Sequence, residues 1–282
     1  MIAILGATGT IGRALARHYS AGPEPLVLFA RRPEVLAGEF HGPGVSLRLL
    51  DTFAAHEFDT IFSAIGAGDP ARVQEIGAGI IALTELWDER VLQGLRSAST
   101  YVFLSSGVVH ETDLATPSPY IVAKREAESR HRRARDRCIL DLRVFGFVDR
   151  TLPLSGNFFL CDLARCVAAK IPFVTSPEDF IRDYTGVAEL TQLFDCWHEA
   201  GAPNEALDLY SKGPLRKSAL LHEARSRYGI EIQAGAAAVE SPTGTKPAYA
   251  SADHAAQALG YMPRRNAMEI ALDYLDAARG GG

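Results

Sequence analysis

Ser106, Tyr120 and Lys124 bring a hydroxyl, a phenol and an ammonium into a spacing that could do one piece of chemistry. Ser106 follows the apolar run Tyr101–Leu104. After a short loop come Ser118-Pro119-Tyr120-Ile121-Val122-Ala123-Lys124. Ser118 suits a helix N-cap and Pro119 the first helical position, where a missing N–H costs nothing. Tyr120 and Lys124 then stand four residues apart on one helix face. A cation beside a phenol favours the phenolate and lowers its pKa from the usual value near 10. Such a phenol can give or take the proton that accompanies hydride transfer at a carbonyl. Ser106, at a strand end, would hydrogen-bond the same oxygen. A Tyr-x-x-x-Lys pair is a common accident when it stands alone, so its weight depends on what surrounds it.

What surrounds it is a dinucleotide loop. Gly6-Ala7-Thr8-Gly9-Thr10-Ile11-Gly12 follows the first apolar run directly and opens the first amphipathic stretch. Small residues there let the backbone turn sharply and present its N–H groups to a pyrophosphate at a helix N-terminus. The contacts are expected from Gly6, Thr8, Gly9, Thr10, Ile11 and Gly12. The second strand ends Leu28-Phe29-Ala30-Arg31-Arg32, with no acid before Glu34. A carboxylate at that point suits the ribose of NAD, whereas an arginine fork suits the extra phosphate of NADP. NADP(H) is therefore the expected cofactor, held by Arg31 and Arg32, with NAD(H) allowed. The plainer reading makes both arginines solvated loop residues.

The elements that must position these groups alternate. Short apolar runs at Ile2–Leu5, Leu26–Phe29, Val45–Leu50, Thr60–Ala64, Tyr101–Leu104 and Ile139–Val144 read as strands covered on both faces. Amphipathic stretches at Gly12–Tyr19, Pro70–Ile81 and Leu83–Leu95 lie between them. This alternation predicts an α/β fold with a Rossmann-type doubly wound parallel sheet. Further along, Gly156–Ile171 and Val187–Glu199 read as helices, Phe173–Thr175 as a short strand, and Ala206–Tyr210 as a late strand returning to the main sheet. Ser218–Tyr228 and Ala252–Ala278 read as largely helical, with a Gly/Ala-rich break at Gln233–Ala238 and a frayed end at Gly280-Gly281-Gly282.

Composition narrows the function classes. The chain has 282 residues and a formal net charge of -5, which argues against a nucleic-acid partner. The basic run from Lys124 to Arg137 is interrupted by Glu126, Glu128 and Asp136, as on a solvated helix face. Cys138, Cys161, Cys166 and Cys196 follow no zinc-site spacing, so reduced thiols and no metal are expected. No apolar stretch is long enough for a bilayer, and the opening Met-Ile-Ala-Ile-Leu-Gly runs straight into a core strand. A cytoplasmic protein with no membrane partner is the expectation.

The quoted motifs resemble the extended branch of the short-chain dehydrogenase/reductase superfamily, the NAD-dependent epimerase/dehydratase family. The resemblance runs through nearly the whole chain. It takes in the glycine loop, the serine strand from Leu104 to Glu111 and the helix from Ser118 to Glu128. It continues through Leu142-Arg143-Val144-Phe145, Ile181-Arg182-Asp183-Tyr184, Lys246-Pro247-Ala248-Tyr249 to Asp253, and Leu259-Gly260-Tyr261-Met262-Pro263. It implies a dinucleotide-binding domain over residues 1–155, rejoined by 183–212. It also implies a small C-terminal substrate-binding lobe made of 156–182 and 213–282, which closes over a nucleotide-sugar.

By that resemblance Ser106, Tyr120 and Lys124 are catalytic, and Tyr120 and Lys124 also lie against the cofactor, with Lys124 on the nicotinamide ribose. Asp51 matches the adenine position, and Ala64 and Ile65 match the turn beside the cofactor. Asn157 and Arg182 match positions that hold the substrate's nucleotide and diphosphate, with Ser106 also touching substrate. A helix N-cap for Asn157 and an ion pair for Arg182 are the structural alternatives. A homodimer through the active-site helix is implied, although the apolar positions of Leu83–Leu95 suit packing on the sheet equally well.

Departures narrow the reaction. Phe145-Gly146 stands where the family usually has Phe-Asn, and His110 stands where tyrosine is common, with no role assigned. Gly107-Val108 replaces the Asp-Glu pair of sugar dehydratases, and no extra acid/base of the C3/C5-epimerising kind is visible. The expected activity is NADPH-dependent reduction of a nucleotide-linked 4-keto-deoxysugar in activated-sugar and polysaccharide biosynthesis. A nucleotide-sugar 4-epimerase is the alternative, and a non-catalytic NADP-sensing protein is a third.

Overall fold

The computed structural model describes residues 1–66, 70–112, 115–235 and 246–280. Among these, seven strands form one parallel sheet: β1 (Ile2–Leu5), β2 (Leu26–Ala30), β3 (Val45–Leu49), β4 (Thr60–Ser63), β5 (Thr100–Ser106), β6 (Cys138–Val144) and β9 (Glu205–Leu209). The spatial order is β3-β2-β1-β4-β5-β6-β9, so the chain winds outward from β1 in both directions. Doubly wound order places every strand's carboxyl end on one edge, the edge where such folds bind ligands.

Both faces of the sheet are covered at β1, β2, β4 and β5, which is why these strands read as largely apolar runs. The edge strand β3, expected to be covered likewise, leaves Ser46, Arg48 and Leu49 exposed because it has a neighbour on one side only. Ile2 and Ile4 of β1 pack in one cluster with Leu15 of helix α1 (Thr10–Ser20) and Leu190, Phe194 and Trp197 of α6 (Val187–Glu199). Ala3 and Leu5 point the other way. They join Trp87 and Val91 of α3 (Gly79–Gly94) and Ala127 of α4 (Pro119–Arg133). The apolar stripe of α3 therefore packs on the sheet, while Leu86 remains 60% exposed on its outer side.

A further cluster contains Leu160, Leu163 and Val167 of α5 (Phe159–Ala169), Leu220 and Ala224 of α7 (Lys217–Tyr228) and Ile270 and Tyr274 of α8 (Ala267–Gly280). Small strands border it. β7 (Phe173–Thr175) pairs with β11 (Ile232–Ala234), and β8 (Ile181–Arg182) lies between β10 (Leu215–Arg216) and β12 (Ala248–Tyr249). Among the described residues no helix is long and apolar enough to cross a membrane.

Several expected boundaries shift for local reasons. The helix expected over Pro70–Ile81 ends as α2 (Pro70–Ile76), because Gly77 takes a left-handed φ of +55° and its N–H caps Val73 at 2.9 Å. The helix expected from Gly156 begins at Phe159. It stops at Lys170, which is itself left-handed at φ +54°. Ala252–Ala278 is not one helical run: a 3-10 turn at Ala255–Leu259 ends at Gly260 with φ +87°, and α8 starts only at Ala267. Gln233 and Ala234 belong to β11 rather than to a break, while 236–238 lie outside the described residues, as do Gly281 and Gly282. Gly280 is the last residue of α8.

Candidate active site

The glycine loop has the shape that a phosphate cradle needs. Gly6 leaves β1 at φ +77°, and a side chain there would meet the Ala64 carbonyl oxygen at 2.8 Å. At Gly12 a Cβ would come within 2.4 Å of the Gly6 carbonyl oxygen, so the first helical turn sits directly on the loop. The N-cap of α1 is Gly9, with no side-chain cap and no acid in the first turn. Its free N–H groups and dipole thus face outward beside exposed Thr8, Gly9 and Thr10 and half-buried Ile11. A dinucleotide fits this cradle.

The loop's neighbours include one residue that sequence reasoning missed. Arg13, in the first turn of α1, lines a small cavity with Thr8, Gly9 and Thr10. Its Nε lies 3.4 Å from Glu39 and makes no hydrogen bond among the described residues. A basic residue directly after the last loop glycine was the available signal.

Along the carboxyl edge, Arg31 and Arg32 follow β2, both exposed and without a carboxylate partner among the described residues. Asp51 sits in a 3-10 turn after β3, where Arg90 bonds its backbone carbonyl at 2.5 Å and leaves its exposed carboxylate outward. Ala64 and Ile65 follow β4, half-buried, with the Ala64 N–H bonded to Leu5 at 2.9 Å.

Ser106 ends β5 and is buried. Ser118 caps α4 by accepting from the Ile121 N–H at 3.4 Å, and Pro119 opens the helix. Tyr120 and Lys124 therefore share the expected face. Tyr120 faces Ser106 and packs among Val73, Ile76 and Ile80. Burial raises its pKa, and only hydrogen bonding with Ser106 opposes that. The expected lowering by Lys124 is absent. The Lys124 ammonium donates to the Leu104 carbonyl at 2.6 Å, lies 4.4 Å from the Phe103 ring centroid and sits 5.7 Å from that of Tyr120. Burial pushes Lys124 down to about 8, against the pull of Asp141, Glu128 and Asp88.

Tyr249 also enters the site, and no sequence reading assigned it a role. Its hydroxyl lies 3.1 Å from Ser106 Oγ, and its ring lies 5.2 Å from that of Phe145. His110 stacks on the other side of this arrangement, 6.0 Å from Phe145, and its Nε2 meets buried Asp208 at 2.9 Å. Ser251 donates to the same carboxylate at 2.7 Å. His110 thus ties the turn after Ser106 to the end of β9.

The two glycine departures have steric causes. A side chain at Gly107 would lie 2.4 Å from the Phe145 ring, and one at Gly146 would lie 2.6 Å from the Asp183 carbonyl oxygen. An acid at 107 or an asparagine at 146 has no room in this arrangement.

Arg182, on β8, donates to the carbonyls of Ile181 and Lys246 at 2.8 and 2.9 Å and lies 4.4 Å from the Phe180 ring centroid. Burial lowers its pKa. No carboxylate pairs with it among the described residues, so the ion-pair alternative is set aside. The N-cap alternative for Asn157 also fails: Phe158 occupies the N-cap of α5, and Asn157 is exposed one residue before it.

The family profile described as "NAD dependent epimerase/dehydratase family" matches residues 2–208. The chain belongs to that family. It is a nicotinamide-dependent enzyme of the extended short-chain dehydrogenase/reductase type. The profile match ends at Asp208, so the C-terminal motifs from Lys246 onward lie past it.

Solved structures extend the likeness over the whole epimerase/dehydratase-family chain at the level of fold. MoeE5 in complex with UDP-glucose and NAD is 20% identical, with TM-score 0.74 and 99% of each chain covered. A UDP-glucuronic acid 4-epimerase from Bacillus cereus, in complex with UDP-glucuronic acid and NAD, is 15% identical, with TM-score 0.78 and coverage of 100% and 99%. RMD from Pseudomonas aeruginosa, complexed with NADPH, is 17% identical, with TM-score 0.72 and 99% of each chain covered. Among curated proteins no sequence match is found.

Proposed function

We propose that this family member reduces a nucleotide-linked 4-keto-deoxysugar with NADPH. The observation that carries the reading is the unopposed arginine pair, Arg31 and Arg32, at the end of β2 beside an uncapped glycine-loop helix. Arg31 and Arg32 would hold the phosphate of NADP. Gly6, Thr8, Gly9, Thr10, Ile11 and Gly12 would hold the pyrophosphate, with Asp51, Ala64 and Ile65 beside adenine and ribose. When bound, the dinucleotide supplies a hydride equivalent. NAD(H) remains the secondary cofactor in this reading.

The chain's own groups handle the proton and the substrate. Tyr120 is half-buried, with its pKa raised, and it would give its proton to the developing alkoxide, with Ser106 orienting that oxygen. Lys124 would hold the cofactor ribose. Arg182 is a half-buried cation that among the described residues hydrogen-bonds only to carbonyls, and an anionic diphosphate would complete its surroundings. Asn157 would contact the nucleotide from the exposed turn before α5. Residues 156–182 and 213–282 form the substrate lobe in this reading. A homodimer would meet through the outer faces of α3 and α4, and the reaction belongs to activated-sugar biosynthesis in the cytoplasm.

Bound nucleotide-sugars support this substrate class, since MoeE5 and the Bacillus cereus epimerase carry UDP-sugars on the same fold. A panel of nucleotide-sugars and their 4-keto derivatives, followed by NADPH absorbance, tests the proposal. Stoichiometric oxidation of NADPH with a keto-sugar is the expected result. Interconversion of two nucleotide-sugars without net NADPH loss would assign the 4-epimerase instead. NADPH binding that survives Tyr120→Phe with no turnover of any panel member in either protein would favour a sensor.

A further inference from the structure

The last strand of the sheet, β9, has two unlike faces. Leu207 and Leu209 pack in the cluster that contains α6. Ala206 and Asp208 alternate with them and so turn to the other face, where α4 lies. Ala206 brings little side chain to the space beside that helix, and a cavity of about 290 Å³ remains there. Arg125, Ser129 and Arg132 line it from α4, at intervals of four and three residues that put them on one helix face. Arg143 of β6 and His110, in the turn after Ser106, complete a basic wall. Ser106, Tyr120, Lys124 and the glycine loop take no part in it.

The acids nearby are already engaged. Glu128, the one carboxylate on the wall, accepts from Arg143 at 3.1 and 2.6 Å and from the Ser105 hydroxyl at 2.6 Å. Asp208 is shared by His110 at 2.9 Å, Ser251 at 2.7 Å and Arg143 at 3.6 Å. Asp141 is held by His131 and Arg132, each at 2.6 Å. Arg125 has no carboxylate partner among the described residues; its guanidinium donates to the carbonyls of Val109 and Glu111. Arg132 gives Nη2 to Asp141, while its Nε and Nη1 are buried with no partner among the described residues. Buried donors left in this way call for an ordered water or a bound ion. Ser129 accepts from Arg133 at 3.0 Å, so its own hydroxyl proton is available. Donors outnumber acceptors on this wall.

We propose that the cavity is a second anion site, built for a phosphate group. A phosphate brings negative charge and several acceptor oxygens, which guanidinium forks match. It lies along the Arg125–Ser129–Arg132 face, opposite Arg143 and His110. The volume is near the lower bound of about 300 Å³ for small-molecule sites, which suits inorganic phosphate or a small phosphomonoester rather than a dinucleotide. The site is separate from Arg31 and Arg32 and from Arg182, and it holds whether or not those serve NADP and a diphosphate.

Calorimetric titration of the full chain with inorganic phosphate tests it. The wild type is expected to bind. Arg125→Gln should weaken binding about tenfold or more, the scale of removing a charge-assisted donor. Ser129 is exposed, so Ser129→Asp sets a carboxylate between the two arginines without touching the core, and it should abolish binding. Thermal unfolding of both variants confirms that they are folded. Arg182→Ala and Arg31→Ala/Arg32→Ala should bind phosphate as the wild type does. The same titrations with ribose 5-phosphate separate the sources: tighter binding that Ser129→Asp removes identifies a phosphomonoester, and weaker or equal binding identifies the free ion. A wild type that binds neither probe overturns the proposal. So does binding that survives Ser129→Asp and Arg125→Gln but falls in Arg182→Ala or Arg31→Ala/Arg32→Ala, because the anion then sits in the substrate or cofactor crevice.

Discussion

The Lys124 ammonium donates to the Leu104 carbonyl at 2.6 Å, on the strand that ends in Ser106. That bond anchors α4 to β5 and holds the lysine in its buried place. Burial pulls the ammonium down to about 8, with Asp141, Glu128 and Asp88 limiting the fall. Lys124 is therefore charged below that value and neutral above it. If its ammonium holds the cofactor ribose, NADPH affinity should weaken as pH rises through about 8. Fluorescence titration of NADPH on either side of that pH checks this. Lys124→Met should bind more weakly below it and show a flat profile; a wild-type profile that is equally flat removes Lys124 from cofactor binding.

Arg31 and Arg32 carry the cofactor preference. Each charge-assisted bond to a phosphate contributes about 1.5 to 3 kcal/mol, and these contributions add when both forks are removed. Arg31→Ala/Arg32→Ala should raise the Kd for NADPH by about 100-fold or more and change that for NADH by less than about twofold. Equal weakening of both dinucleotides would assign the arginines to the fold rather than to the phosphate.

The large elements were legible because burial on two faces writes itself into sequence. Ile2–Leu5 and Val187–Glu199 emerge with the expected limits, since an apolar run between helices or a 3.6-residue stripe has few alternatives. Two-residue strands have no such pattern. β8, β10 and β12 exist through pairing, and Tyr249 reaches Ser106 only because β12 lies on β8. The site was readable where spacing is local, as from Ser118 to Lys124, and silent where a distant segment returns. Gly107 and Gly146 read as departures, while their reasons, the Phe145 ring and the Asp183 carbonyl, are tertiary.

Arg182 offers a direct test of the substrate side. It is half-buried, bonded to two carbonyls and free of any carboxylate among the described residues. UDP serves as the probe, because it has the diphosphate without the sugar. Arg182→Ala should weaken UDP binding about tenfold or more, the scale of removing a single charge-assisted hydrogen bond, with NADPH binding unchanged. Arg182→Lys keeps the charge but not the fork, and should recover only part of that affinity. Calorimetry showing unaltered UDP affinity in Arg182→Ala would move the diphosphate elsewhere.

His131 makes a prediction about stability rather than chemistry. It is fully buried on α4, with Nε2 2.5 Å from Asp88 on α3 and Nδ1 2.6 Å from Asp141 on β6. Burial alone would push the imidazole down, but the hydrogen bonds and charges of the two aspartates outweigh it and hold its pKa at about 9. Raised above the ordinary value near 6.5, this group contributes stability that is complete below 6.5 and lost as pH climbs through about 9. The shift corresponds to roughly 3 kcal/mol, an upper figure because the two acids share the proton's environment. Lys124 works in the opposite sense above about 8, since its depressed pKa makes the folded state relatively more stable as it deprotonates. The clean measurement is therefore a difference. Urea unfolding of the wild type and of His131→Asn should show a wide stability gap at mildly acidic pH that narrows steadily toward pH about 9. A gap that stays constant would mean that His131 is neutral in its bed of carboxylates.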